Sequence, residues 1–450
     1  MMSAVATSLG FPTSDVDLWD EATLADPYPT YRVLRDLGPV VWLDRLELLA
    51  LPRFDVVRSV LTSWQRFSSA SGVGVDEQAN TSLPESIIKS DPPEHDEHRR
   101  VLAGQLSVGS LAGAAGEIEG AADSLVASLV ARGSFDAVAD LARPYSLNVV
   151  ADLIGLPADG REPLPHLAEH AFNVFGPAND RLATASPALA QLFGHAFEVA
   201  QSGRLCPGRR ASELVETGHP EGIVAYTWPG IDTTVNALGS AVYLFATHPD
   251  QWELVRRDPS LTPSAFAEVL RLHAPVHYFT RLTTEPADID GFLVPAGQRV
   301  LVMYGSANRD ERHYADPDRF DVTRNPVDQL AFGRGIHLCV GINLAKLEAV
   351  AFMTALVRHV GRFGARRATG MAAQQQPARP ARAPGQSVAR CTIRQVTRVR
   401  SRPVATRGTS RSNGRTAALA APSRSRGPRA RTRAARTTDL LPTSRRAALR

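Results

Sequence analysis

The residues best suited to chemistry stand together at Phe332-Gly333-Arg334-Gly335-Ile336-His337-Leu338-Cys339-Val340-Gly341. Cys339 directly precedes a segment, 340–361, with the periodicity of an amphipathic helix. Backbone N–H groups at a helix start favour negative charge, which lowers a thiol pKa and holds a thiolate. Gly333, Gly335 and Gly341 remove side chains where a flat ligand must approach the backbone, or allow positive φ. Phe332 offers an aromatic face to such a ligand. This chemistry suits a thiolate ligand to haem iron. Cys206 and Cys391 lack comparable surroundings and read as inert thiols.

Several polar pairs fall at helical spacing. Glu268 and Arg271 share one face of a helix expected over 262–273 and opened by Thr262-Pro263. Taken alone they read as a solvated surface pair. His95 and Arg99 share a face of the polar helix expected over 93–103, after Asp91-Pro92-Pro93. A long apolar helical pattern over 222–247 carries Pro229-Gly230-Ile231-Asp232-Thr233-Thr234. The Pro-Gly is expected to interrupt it.

The cysteine segment resembles the haem-binding signature of the cytochrome P450 family, Phe-Gly-x-Gly-x-His-x-Cys-x-Gly, with Ala345 at the small position that follows. The resemblance implies that Cys339 ligates the iron of haem b, with Phe332 and Gly341 against the cofactor. Glu268 and Arg271 resemble the family's Glu-x-x-Arg element, a buried ion network whose third member is matched by Arg319. His95, Arg99, Arg281 and His337 match groups that hold the haem propionates. The segment 229–234 is similar to the oxygen-activating element. There Gly230 leaves room for dioxygen, and Thr233 and Asp232 deliver protons. Pro229 departs from the usual Ala or Gly.

As a family member the chain is expected to be mainly α with small β-sheets (α+β), in one haem-containing domain over 1–365. Dioxygen is then the co-substrate, and a ferredoxin with an NAD(P)H-dependent ferredoxin reductase is the electron source. The exposed-type charge Arg334 reads as either a ferredoxin contact or a solvated residue. Stretches such as Phe172-Asn173-Val174-Phe175-Gly176-Pro177 resemble soluble bacterial enzymes that oxidise para-substituted benzoates. Those enzymes hold the carboxylate with Arg and Ser, and Val224-Ala225-Tyr226-Thr227-Trp228 has neither. The expected substrate is therefore a small hydrophobic or aromatic compound. By position, Tyr226, Pro229, Val276, Tyr278 and Phe279 are its candidate neighbours. The alternative is a haem-binding remnant, impaired by its altered C-terminus.

The elements that must position these residues are many helices and a few short strands. A hairpin is expected over 39–51 and strands over 279–303. Residues 68–90 read as a long surface loop and 200–221 as short and irregular. The chain has 450 residues, 44% hydrophobic and 21% charged, which excludes wholesale disorder. Three cysteines with no CxxC pair exclude a disulfide scaffold or zinc site and point to a reducing, cytoplasmic compartment. No long apolar run suggests a membrane partner. The net charge of +4 divides unevenly. Residues 371–450 hold 19 basic residues against one acid, +18, and residues 1–370 hold 31 against 45, −14. Residues 366–450 read as a basic, low-complexity, disordered tail. With 48 Arg and 2 Lys in the chain, that tail resembles the out-of-frame reading of a GC-rich gene, so nucleic acid is not expected as a partner.

Overall fold

The computed structural model describes residues 10–365 and 390–395. The apolar run after Pro39 folds back on itself as the strands Val41–Leu43 and Leu48–Leu51, antiparallel with Val41 opposite Ala50. The turn between them is closed by Glu47 at φ 50°. Leu48–Leu51 then pairs in parallel with Arg299–Val302, and that strand pairs antiparallel with Phe279–Thr283. Thr13–Ser14 and Phe67–Ser68 complete a six-stranded sheet at its two edges. Every residue of Leu48–Leu51 and Arg299–Val302 is buried, which explains the continuous apolar runs Leu48–Leu51 and 300–302.

The helices form the larger body. Gly222–Thr247 is apolar on nearly every face, as a helix enclosed by others must be. It packs against Arg143–Ile154, Leu164–Ala171, Thr262–Leu272 and Ile342–His359. Ala115–Arg132 lies along Ile342–His359 and stops at Gly133, whose φ of 85° no other residue type adopts cheaply. Leu141, Ile154, Leu238, Phe245, Phe352 and Leu356 sit at the centre of this body. No helix among the described residues is long and apolar enough to cross a membrane.

Three local expectations change. The 68–90 loop contains the helix Glu77–Ser82, started by Asp76 accepting from Ala79 N at 2.7 Å. The irregular 200–221 stretch contains the helix Arg210–Glu216. The helix Asp180–Gln201 starts where Asn179 caps the N–H groups of Arg181 and Leu182. Gly222–Thr247 runs unbroken through Pro229, although the proline supplies no N–H to the preceding turn.

The expected tail is also not structureless throughout. Arg390–Gln395 is the central strand between Val360–Ala365 and Ser134–Asp136, antiparallel to both. Main-chain pairing needs no apolar composition, which is why a composition argument missed it. The folded body therefore extends past the boundary expected at 365. Residues 366–389 and 396–450 lie outside the described residues.

Candidate active site around Cys339

The cysteine loop is a backbone cradle. Cys339 N donates to Phe332 O at 2.8 Å, Gly333 N to Leu330 O at 2.9 Å and Leu338 N to Gly335 O at 3.1 Å. Gly333 and Gly335 have φ of 68° and 71°. At Gly335 a Cβ would stand 2.3 Å from the carbonyl oxygen of Leu61, so this glycine lets the loop lie against the helix Phe54–Thr62. Gly341 caps Ile342–His359 in an ordinary conformation. Burial pushes the Cys339 thiol up, opposed by the Gly341 N–H and the Arg99 charge. This reverses the expected lowering, because desolvation outweighs the helix start. A thiolate here requires a cation beside it.

The predicted propionate groups gather on the same side. Arg99 Nη1 donates to Leu338 O at 2.8 Å, tying the helix Glu94–Gln105 to the loop. The His95 and His337 rings meet edge to face at 4.6 Å. His95 is fully buried and its Nδ1 lies 3.1 Å from Asp96 Oδ1. Nε2 of each histidine is buried without a hydrogen-bond partner. Burial pulls His337 down to about 4, with the nearby Arg281 and His95 adding to the fall. Asp91 stands 4.0 Å away and is itself held by Ser68 and Ser69 N. Buried Arg281 donates to Thr280 O at 2.8 Å, and no carboxylate among the described residues forms an ion pair with it. Buried imidazole nitrogens without partners and a buried arginine without a carboxylate, beside a thiol that needs a cation, fit an iron porphyrin with its two carboxylates.

The helix Gly222–Thr247 presents the expected element. Thr233 is half-buried and its hydroxyl donates to Pro229 O at 2.7 Å. Asp232 is buried and its carbonyl accepts from Asn236 Nδ2 at 2.8 Å. Gly230 faces Val150, 3.4 Å from where a Cβ would stand. One buried acid escaped sequence reasoning. Glu348 Oε2 accepts from Thr234 Oγ1 at 3.3 Å, Oε1 has no partner, and burial pushes the carboxyl up to about 8. A lone acid next to the apolar run 349–353 was its available signal.

The ion network requires a correction. Glu268 and Arg271 are fully buried and joined twice, at 2.7 and 2.8 Å. Their third member is Arg324, whose Nε lies 3.1 Å from Glu268 Oε1. Arg319 instead reaches solvent, 63% exposed, beside Asp321 at 3.6 Å. The turn closed by Arg324 N on Asp321 O brings the later arginine back to the glutamate.

On the other side of Gly222–Thr247, Phe172, Phe175, Trp228 and Phe279 form an aromatic wall. Phe175 and Trp228 stack at 5.5 Å, and Val73, Val276 and Ile88 pack around them. Of the candidate substrate neighbours, Val276 and Phe279 pack with this wall and Pro229 is exposed. Tyr226 and Tyr278 are buried, with hydroxyls bonded to Gln105 and to Trp19 Nε1.

Comparison with known proteins agrees with this arrangement. The family model described as Cytochrome P450 matches residues 223–360. The chain is 37% identical over 364 residues to cytochrome P450 CYP199A2 of Rhodopseudomonas palustris, covering 78% of this chain and 88% of that protein. It is 30% identical over 379 residues to the 6-deoxyerythronolide B hydroxylase of Saccharopolyspora erythraea, covering 78% and 92%. The fold superposes on P450BioI, crystallised with an acyl carrier protein, with a TM-score of 0.73 at 22% identity over 83% of this chain and all of the other.

Proposed function

The chain belongs to the cytochrome P450 family of haem b enzymes that use dioxygen, and from that premise we propose that it transfers one oxygen atom to a small hydrophobic or aromatic substrate with electrons from a ferredoxin. Haem b, when bound, supplies an iron centre at which dioxygen is reduced and cleaved. Cys339 holds that iron through its sulfur. Arg281, His95 and His337 supply the positive or donor groups its carboxylates need, and Arg99 braces the loop that carries the thiolate. The observation that carries this reading is the coincidence of a buried thiol with two buried imidazole Nε2 atoms that have no hydrogen-bond partner and a buried arginine with no carboxylate partner among the described residues.

Thr233 and Asp232 have the separate task of moving protons. The Thr233 hydroxyl is parked on the Pro229 carbonyl, and rotation about its side chain frees it to donate toward the site. Retention of that bond supports a working element despite the proline, and favours turnover over the impaired remnant. Electron supply by a ferredoxin rests on likeness to bacterial relatives and on exposed Arg334 beside the cysteine loop.

The test is turnover in labelled dioxygen with a ferredoxin, its reductase and 4-methylacetophenone. One labelled oxygen atom in each molecule of the benzylic alcohol formed is expected. Thr233→Ala should keep consuming reductant while product falls at least fivefold. Product whose new oxygen comes from water would overturn the proposal.

A further inference from the structure

We infer that the site accepts an uncharged, flat aromatic compound and rejects the matching carboxylate; this rests on the monooxygenase reading and narrows its substrate. Within the helix Gly222–Thr247, where Trp228 and Gly230 are half-buried and most other residues buried, Ala225 and Pro229 are exposed and Thr233 is half-buried. These positions recur every four residues and so form one open stripe on an otherwise enclosed helix. Two of its three side chains are apolar, and the third, Thr233, is committed to Pro229 O. The adjoining wall is Phe172, Phe175, Trp228 and Phe279, whose rings favour another flat ring against them.

Cations do occur around this wall, and each is already committed. Arg299 uses all its N–H groups: a double bond pair to Glu77 at 2.6 and 2.8 Å, and contacts to Gly72 O, Ser71 O and Thr280 Oγ1. Lys89 Nζ donates to Leu83 O at 2.7 Å and lies 3.5 Å from Glu85. Arg210, near Tyr226, turns its N–H groups to the carbonyls of Gln105, Leu153 and Ser110. Single buried nitrogens without partners also occur on His277, Arg66, Arg181 and Arg256, but each of these groups is otherwise bonded, to Tyr31 Oη, Glu285, Glu21 and Glu253. A carboxylate against the aromatic wall would lose its hydration and gain no cation. A neutral carbonyl of the same shape loses far less.

The discriminating experiment is calorimetric titration of the haem-loaded protein with two isosteric probes, 4-methoxyacetophenone and 4-methoxybenzoate, at pH 7.5. The ketone should bind at least tenfold more tightly. Ala225→Lys places an ammonium on the open stripe and should reverse the order, tightening the benzoate at least tenfold. Equal or tighter binding of the benzoate by the unaltered protein overturns the inference, as does failure of the ketone to bind. Haem content of the same sample separates these outcomes from failure of the monooxygenase reading, which would appear as protein that takes up no haem.

Discussion

The two sides of the site treat charge in opposite ways. On the cysteine side, His95 and His337 each keep a buried Nε2 with no hydrogen-bond partner, and buried Arg281 has no carboxylate partner among the described residues. On the aromatic side, Arg299 is equally buried, yet each of its N–H groups has an acceptor. A buried cation with partners holds a fold together. One without partners costs free energy until something anionic arrives. The contrast separates structural charges from binding charges without reference to sequence motifs.

The contrast breaks most decisively at the Glu268–Arg271–Arg324 network, the extreme of the partnered class. Glu268→Ala strands two arginines and should lower unfolding free energy by about 3–5 kcal/mol, read by denaturant melts of the apoprotein. Arg324→Ala should be nearly as damaging. Arg319→Ala should cost under about 0.5 kcal/mol, since that side chain pairs only at the surface. A large loss at Arg319 with none at Arg324 would restore the assignment expected from the sequence.

Next in size is the pH response of Glu348. Its folded carboxyl titrates at about 8 against an ordinary 4.5, so the native state keeps a proton that the unfolded chain has lost. Stability is therefore full below pH about 4.5 and falls as pH rises to about 8, by on the order of 2–4 kcal/mol. Glu348→Gln should flatten that slope in melts at pH 5 and pH 8. An unchanged slope would mean that solvent or another charge reaches the carboxyl.

A subtler effect distinguishes the two sides directly. Arg281→Leu should leave apoprotein stability unchanged or raise it by up to about 1 kcal/mol, because the arginine lacks a carboxylate. The same variant should hold haem at least tenfold more weakly in transfer to apomyoglobin. Loss of apoprotein stability without loss of haem would move Arg281 to the structural class.

Much of the site was legible because its signals are local. The glycine-spaced cysteine loop, the Glu268–Arg271 spacing and the long apolar helix each lie within one element. What the sequence did not reveal depends on direction or on distance along the chain. Arg319 and Arg324 flank one turn, and only its closure at Asp321 decides which returns to Glu268. Tyr226 and Tyr278 had suitable chemistry but point into the core. Arg299 and Glu77 lie 222 residues apart in the chain, so neither looked special alone. The tail strand Arg390–Gln395 is set by main-chain pairing, which leaves little trace in composition.

The central claim is that Cys339 holds haem iron as a thiolate. The most direct measurement is the reduced, carbon-monoxide-bound absorption spectrum of the protein and of Cys339→His. The account predicts the strongly red-shifted Soret band of thiolate-ligated haem in the former and its loss in the latter. An unshifted band in the unaltered protein, or the same spectrum in both, would contradict it.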